Sequence, residues 1–536
     1  MQKKRRLMRL VAASVVIPAM AGGGLSRAQT ASPTPTQNST PAAPAQNPAP
    51  PTPTQQPGTP APPQKETHIT PEQARELFAD VGHILQFAST DTKLPIKHDV
   101  KSRLITRAEV EKYLVAKMDN DKDAKRMERE EIVLKKFGLI DSDFQLRPFL
   151  LQLLDEQIAA YYDSKTKTVN LLDWIGPEEQ KPVLAHELTH ALQDQDVNLD
   201  KWESPGSDNI SRNYKQDQRH VATDEDDTAR EAVVEGQAMA VFVDYSLAPF
   251  GRSLRSSPEM LDPLIQQMTG DNSSRDPVLS RAPLLLQESL LFPYKYGLKF
   301  EGDLIADEKD PSAPYAGVLD RPPASSYEIM NPHEYERRVN VPVLTMPNIH
   351  PVIDADYNPY DIGVMGELDV RILSELFGGP EAVKEFQPAW DGGIYYAAQR
   401  KDAPDKNSTG SVALLYLSQW TSPDVAADFA RMYVRELGQQ YSRVTHDAQD
   451  EADPSEQIYQ TDQGPVLIVT KGKDVFVSET FPLDIARKLE FFMISAQQQS
   501  GTQIASVSAP VPQSGLAGNL VRFMASCGLM KAALIH

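Results

Sequence analysis

The amino-acid sequence predicts an α+β fold, in which a mainly helical domain with a small sheet is followed by a smaller α+β module. Three observations support this expectation. Apolar residues recur at helical spacing over much of residues 70–246. Within that region, β-branched and aromatic residues on both sides of a polar turn indicate a hairpin at 158–172. From about residue 361 to residue 498, strand-like runs alternate with helical patterns, which is typical of a separate module.

The first 28 residues have the composition of a secretory signal peptide. Four basic residues (Lys3, Lys4, Arg5 and Arg6) precede an apolar run of about 16 residues, 10–25. A membrane-spanning helix needs roughly 20 apolar residues, so cleavage is favoured over an uncleaved anchor. We therefore expect an exported protein, periplasmic or secreted, with no stable membrane span after residues 1–28 are removed.

Residues 29–66 are expected to form a disordered, proline-rich linker. Twelve prolines fall within residues 29–64, and no charged residue lies between them. Such a segment has too little apolar surface to bury, and its prolines favour an extended chain. It would space the folded part away from the N-terminus.

Charge and cysteine content exclude several classes of function. The chain carries a net charge of −20, and residues 1–28 contain six basic and no acidic residues, so their removal changes the charge to −26. A surface of this charge repels nucleic acid, and we expect no nucleic-acid partner. The single cysteine, Cys527, cannot form an internal disulfide and cannot alone supply a thiolate zinc site.

The folded part is expected to begin at Thr70, a helix N-cap, with Pro71 at the first helical position. The sequence divides it into a helical domain at 67–345, an α+β module at 361–500 and a flexible tail at 501–536. The elements expected from the patterns are a buried helix near 149–160, hairpin strands at 158–162 and 168–172, helices at 182–195, 228–246, 423–437 and 484–495, and strands at 412–417, 466–470 and 475–478.

The residues from His186 to His190 form an H-E-x-x-H motif on one of the expected helices. Side chains four positions apart on a helix lie one above the other, so His186 and His190 can hold one zinc ion. Glu187 is then placed at the edge of that face, where a general base would act. Apolar flanking residues indicate that the helix is partly buried, which argues against two surface histidines.

A catalytic zinc ion needs a third protein ligand. Asp196 occupies the last position of an extended motif, but Gln193 stands where that motif needs a glycine to turn, so Asp196 is disfavoured. The helix at 228–246 supplies Glu231 and Glu235 within an apolar stretch, where an unpaired carboxylate would be costly. We expect Glu235 to be the ligand and Glu231 to support a histidine. Gly236, next to Glu235, has no side chain, which would let two helices approach closely there. The reverse assignment stays open.

These residues resemble the gluzincin branch of zinc peptidases, in which a Glu-Gly-x-Ala segment often supplies the third ligand. The segments at 185–195 and 234–238, with Phe-Pro-Tyr at 292–294 and Pro-Pro-Ala-Ser at 322–325, are more closely similar to a set of largely uncharacterised bacterial and archaeal metalloproteases. The resemblance covers roughly residues 145–345. It implies a zincin-like catalytic domain, one zinc ion on His186, His190 and Glu235, Glu187 as base, and a peptide or protein substrate.

Other candidates carry less specific signals. A group that stabilises a developing oxyanion is expected in such a site, and Tyr294, Tyr296, His220 and His333 are the candidates, although packing or surface roles fit each of them as well. Asp194 is either a support for the site or a charge at the helix end. The sequence contains no clear amine-anchoring motif, which favours an endopeptidase. A non-catalytic zinc-binding or scaffold protein of the cell envelope is the alternative, and the intact Glu187 argues against it.

Overall fold

The computed structural model describes residues 68–120, 122–202, 211–268, 276–500 and 516–526. The predicted signal peptide at 1–28 and linker at 29–66 lie outside the described residues. The helices are α1 (Pro71–Thr92), α2 (Arg107–Asn120), α3 (Lys122–Lys136), α4 (Leu146–Gln157), α5 (Pro177–Val197), α6 (Leu199–Trp202), α7 (Tyr214–Thr223), α8 (Asp226–Leu247), α9 (Leu261–Met268), α10 (Leu284–Phe292), α11 (Leu298–Asp307), α12 (Val318–Asp320), α13 (Ser326–Met330), α14 (Pro332–Arg337), α15 (His350–Ile353), α16 (Glu367–Phe386), α17 (Pro423–Gln440), α18 (Leu483–Ser500) and α19 (Leu516–Ser526). The strands are β1 (Lys101–Ile105), β2 (Ala160–Asp163), β3 (Thr168–Leu172), β4 (Tyr357–Val364), β5 (Trp390–Arg400), β6 (Val412–Trp420), β7 (Val444–His446), β8 (Glu456–Thr461), β9 (Gly464–Lys471) and β10 (Asp474–Glu479).

The helical part of the molecule contains the small sheet. Strand β3 lies at its centre, parallel to β1 and antiparallel to β2. The predicted hairpin is therefore confirmed, and β2 is an edge strand. The sequence did not predict β1, because five residues with alternating exposure carry too weak a pattern, and their pairing partner lies more than 60 positions away.

Helix α5 begins earlier than the sequence predicts. We expected it to start at Pro182, but it starts at Pro177, with Gly176 as its N-cap, and Pro182 lies inside it. Proline at the first helical position loses no hydrogen bond, and Pro182 removes only the bond to the carbonyl of the exposed Glu178, which water can satisfy. The predicted helix at 228–246 is confirmed as α8, with one or two more residues at each end.

Helix α8 lies at the centre of the helical part, packed against α1, α5, α11 and the π-helical turn Pro293–Gly297. The closest approach is between two glycines. A Cβ atom on Gly236 of α8 would lie 2.8 Å from the Cα of Gly297, so the two backbones are in direct contact. The prediction that Gly236 allows a close approach of two helical segments is confirmed.

The C-terminal part is built on a seven-stranded antiparallel sheet with the order β4-β5-β6-β10-β9-β8-β7. Both faces are covered. Leu414, Tyr416 and Val477 pack into the main core with α17 and with the helical part, whereas Leu415, Leu417 and Phe476 form a second core with α18. The α+β class is thus confirmed, and the predicted strands and helices of this region are present. The domain boundaries at 67–345 and 361–500 stay predictions.

The tail was expected to be flexible from residue 501, and this is wrong for residues 516–526. These residues form α19, which packs against α3, α8, α10 and α16 and buries Leu516, Leu520 and Phe523. The N–H of Ala517 donates to Asp369 over 2.7 Å, and Arg522 pairs with Asp227 at the start of α8. The pattern is too short to predict a docked helix, since its stability comes from the surrounding core rather than from the tail.

None of the described helices is sufficiently long and apolar to cross a bilayer.

A pair of acidic side chains links α1 to α8. Asp91 and Asp244 are hydrogen-bonded to each other on the wall of a cavity of about 340 Å³, which Lys93 and Arg255 also line. Burial, and then the charge of Asp244, raise the pKa of Asp91 to about 7, with Lys93 and Arg255 offsetting part of the rise. Burial raises the pKa of Asp244 to about 6, although the hydrogen bond from the N–H of Leu254 lowers it in part.

We expect this pair to make the protein less stable as the pH rises from about 4 to about 7. A carboxyl whose folded-state pKa is raised contributes its stability below the unfolded-state value and loses it as the pH passes the folded-state value. Asp91→Asn should therefore flatten the slope of unfolding free energy against pH by up to about 1.4 kcal/mol per pH unit for each proton involved. Denaturant unfolding at several pH values measures it. Equal slopes for the variant and the wild type would contradict the expectation.

Candidate metal centre

Helices α5 and α8 bring together the three predicted metal ligands. His186 and His190 lie one turn apart on α5, and their Nε2 atoms are 3.0 Å apart. Oε2 of Glu235, on α8, lies 3.1 Å from Nε2 of His186 and 3.7 Å from Nε2 of His190. One ligand atom from each residue falls within 4.8 Å of the others, so the three could hold a metal ion.

The chemistry of these atoms fits a divalent metal. All three side chains are buried, and His190 is the most exposed at 8%. Two imidazole nitrogens face each other and a carboxylate oxygen. Buried carboxylates are normally paired or coordinate metals, and two histidines with one carboxylate form a common three-ligand set for zinc.

The electrostatics of the cluster favour a cation. Burial raises the pKa of Glu235, but the neighbouring His190 and His186 outweigh it and hold the value at about 2. For His190 burial lowers the pKa, whereas Glu235, Glu187 and Gln193 outweigh that effect and bring it to about 9. Burial lowers the pKa of His186. The carboxylate of Glu235 is therefore charged at neutral pH and directed at both imidazoles.

Glu187 lies beside the three ligands but is not one of them. It is 1% exposed, and its Oε2 has no hydrogen-bond partner among the described residues. Burial raises its pKa to about 8; His190 lowers it, Glu235 raises it, and a hydrogen bond from the backbone N–H of Tyr162 lowers it. A carboxyl group with a value near neutrality can accept and return a proton at physiological pH.

Tyr162 connects the edge strand β2 to both the candidate base and helix α5. Its N–H reaches Glu187, and its hydroxyl donates to Oδ2 of Asp194 over 2.7 Å. Asp194 also accepts from Lys167 of the hairpin and from the N–H of Leu199. Asp194 is thus a buried acceptor that fixes the hairpin on α5. Its contacts fit the supporting role better than a charge at the helix end.

The structure separates the alternative ligands from the cluster. Asp196 is paired with Lys97, at 3.0 Å, and does not belong to the group of converging ligand atoms. Glu231 is buried on α8 but does not belong to the group of ligand atoms that converge. Among the described residues, Glu235 is the carboxylate that joins the two histidines.

Three of the four candidates for oxyanion stabilisation, His333, Tyr296 and His220, have other partners. His333 is exposed and forms a surface group with Asp307 and Glu336, and Tyr296 is hydrogen-bonded to Arg371. His220 pairs with Asp224 at 3.4 Å. Tyr294 is buried in the π-helical turn Pro293–Gly297, which packs against α8.

Two glutamines next to the ligands were not assigned a supporting role from the sequence. Oε1 of Gln193 lies 2.9 Å from Nδ1 of His190, and Nε2 of Gln193 lies 2.9 Å from Oε1 of Gln237. Both amides are fully buried. The signal available in the sequence is their position, since each lies within three residues of a ligand in an apolar stretch.

No family model, curated protein or solved structure matches this chain. The resemblance to gluzincins stays a hypothesis based on the motifs. What the site can do chemically follows from its own residues, because function depends on the site rather than on the fold.

Proposed function

We propose that this protein is an exported zinc peptidase with a zincin-like catalytic domain at 67–345, which hydrolyses peptide bonds of a peptide or protein substrate. The observation that carries the proposal is the convergence of His186, His190 and Glu235 with a buried carboxyl, Glu187, beside them. A structural or storage site needs the ligands alone. The additional acid gives the site a group for proton transfer.

The proposed ligands leave at least one coordination position for water or substrate, as catalytic zinc sites do. The zinc ion, when bound, supplies a Lewis acid that makes water a nucleophile near neutral pH. Glu187 supplies the proton transfer. Because the N–H of Tyr162 occupies one side of its carboxylate, the unpaired Oε2 is the atom available to take a proton from water and to pass it to the leaving amine.

The edge strand β2 supports a peptide as the substrate. Among the strands that the structure describes, β2 pairs with β3 alone, so its other edge can bind an extended chain through backbone hydrogen bonds. Tyr162 places this edge beside Glu187. Recognition through the backbone does not need a free terminus, which favours an endopeptidase.

We expect about one zinc ion per chain in the wild type and much less in His190→Ala. Removal of one imidazole leaves two ligands, which are too few for a stable site. Elemental analysis of the purified protein after loading with zinc and gel filtration measures this.

His333→Ala is the matched control, because this histidine belongs to an exposed acidic group and its loss should leave the zinc content unchanged. A wild type without zinc, under conditions that load other zinc proteins, would show that the site does not bind the metal. Zinc content that falls in His333→Ala but not in His190→Ala would place the metal at the surface instead.

A further inference from the structure

The nitrogen of His190 that carries the hydrogen determines which of its two nitrogens can bind a metal. An imidazole that binds a metal through Nε2 must present a lone pair there and carry its hydrogen on Nδ1. The Nε2 atom of His190 faces His186 and Glu235, and Nδ1 faces Oε1 of Gln193 at 2.9 Å. An amide oxygen can only accept, so Nδ1–H donates to it.

This assignment requires that the Gln193 amide is not reversed. Its Nε2 donates to the carbonyl of Val234 over 3.0 Å and to Oε1 of Gln237 over 2.9 Å. Both donors are therefore used on α8, on either side of Glu235 in the sequence. The reversed amide would place its oxygen against the Val234 carbonyl and its two donors toward Nδ1.

The orientation of the Gln237 amide, to which Gln193 is bonded, is fixed by two backbone carbonyls. Its Nε2 lies 3.1 Å from the carbonyl oxygen of Pro314 and 3.2 Å from that of Tyr315. Backbone carbonyls have no donor form, so this end of the amide must be the NH₂ group, and its Oε1 must face Gln193. Each nitrogen and oxygen of the two amides has a hydrogen-bond partner, as a buried polar network requires, and the buried carboxyl group of Glu301 also lies beside Gln237.

We propose that Gln193 and Gln237 are positioning residues that act in series, holding His190 with Nδ1–H bonded and Nε2 directed to the metal. The carbonyl oxygens of Pro314 and Tyr315 fix which end of the Gln237 amide donates. Gln237 in turn fixes the orientation of the Gln193 amide, whose oxygen accepts the hydrogen of the imidazole. The same bonds tie α5, which carries both histidines, to α8, which carries Glu235. The inference rests on the metal site of the proposed function.

The test compares Gln193→Leu and Gln237→Leu with a matched control, Gln180→Leu. Gln180 is also a fully buried glutamine of α5 whose Nε2 donates to two carbonyls, those of Leu172 and Ile175, but it does not contact the ligands. All three variants lose a buried amide, so the melting temperature reports the shared structural cost. The zinc dissociation constant, from competition with a chelator, reports the positioning role.

We expect Gln193→Leu to raise the zinc dissociation constant about 10- to 100-fold. Gln237→Leu should raise it several-fold, although this residue does not touch His190, and Gln180→Leu should leave it unchanged. In zinc-loaded protein with ¹⁵N-labelled histidine, we expect the Nδ1–H signal of His190 to move upfield in both Gln193→Leu and Gln237→Leu. The same hydrogen should exchange faster with water in these two variants.

Two results overturn the inference, and they differ from each other. If wild-type protein binds zinc and Gln237→Leu matches Gln180→Leu in zinc affinity and in the imidazole signal, the series of amides has no positioning role and the metal site stands. If the wild type binds no zinc, the metal site itself is wrong and the two glutamines have nothing to position.

Discussion

Glu187→Gln is expected to lower the rate of peptide hydrolysis by about 10²- to 10⁴-fold, which is the usual contribution of a general acid–base group. Glutamine keeps the size of the side chain and can still accept the N–H of Tyr162, but it cannot take a proton from water. Glu187 is not among the converging ligands, so we expect zinc to remain bound. Peptide hydrolysis and zinc content, measured on the same preparation, separate the two effects.

Asp196→Asn is the control for this experiment. It also removes a carboxylate from helix α5, but one that is paired with Lys97 outside the site, and its activity should match the wild type. An unchanged rate in Glu187→Gln would remove Glu187 from the role of base. Loss of zinc together with activity would instead make Glu187 a ligand.

Gly297→Ala is expected to destabilise the protein by on the order of 3 kcal/mol or more, as overpacking of a rigid contact does. The new Cβ would overlap the carbonyl oxygen of Ala232 and lie 3.2 Å from the Cα of Gly236. Both neighbours are backbone of α8, so no side chain can rotate away. Relief requires α8 or the π-helical turn to shift, and Glu235 is adjacent to the contact. The melting temperature and the zinc affinity should therefore both decrease.

A glycine in open space provides the comparison. Gly82 lies in α1, and a Cβ there would meet no atom within 4 Å. Gly82→Ala should be neutral or stabilising by up to about 1 kcal/mol, because alanine is the better helix former. If the two variants melt alike, the close contact between α8 and the π-helical turn does not hold the protein together.

The elements that carry the site could be predicted because their signals are local. The spacing of His186 and His190 fixes a helix face, and the polar turn between β2 and β3 fixes a hairpin. Gly236 next to Glu235 indicated a close contact, although its partner, Gly297, could not be identified from one sequence. Each of these signals is contained within a few residues.

What could not be predicted depends on partners far apart in the chain. Strand β1 exists because it pairs with β3, and α19 is ordered because several helices surround it. The bond between Gln193 and Gln237 joins positions 44 residues apart, and nothing in either segment alone indicates it. Pro182 misled the prediction of the start of α5 because a proline near a helix end can stand inside the helix where water satisfies the freed carbonyl.

The docking of α19 against α8 has a consequence for the order in which the chain can fold. A ribosome synthesises α19 about 270 residues after it completes α8, so for most of translation the helix that carries Glu235 lacks one of its packing neighbours. Arg522, which pairs with Asp227 at the start of α8, arrives equally late. The native surroundings of α8 can therefore be completed only after the last of these residues has left the ribosome, and a nascent chain stalled before residue 516 would hold this helix incompletely packed.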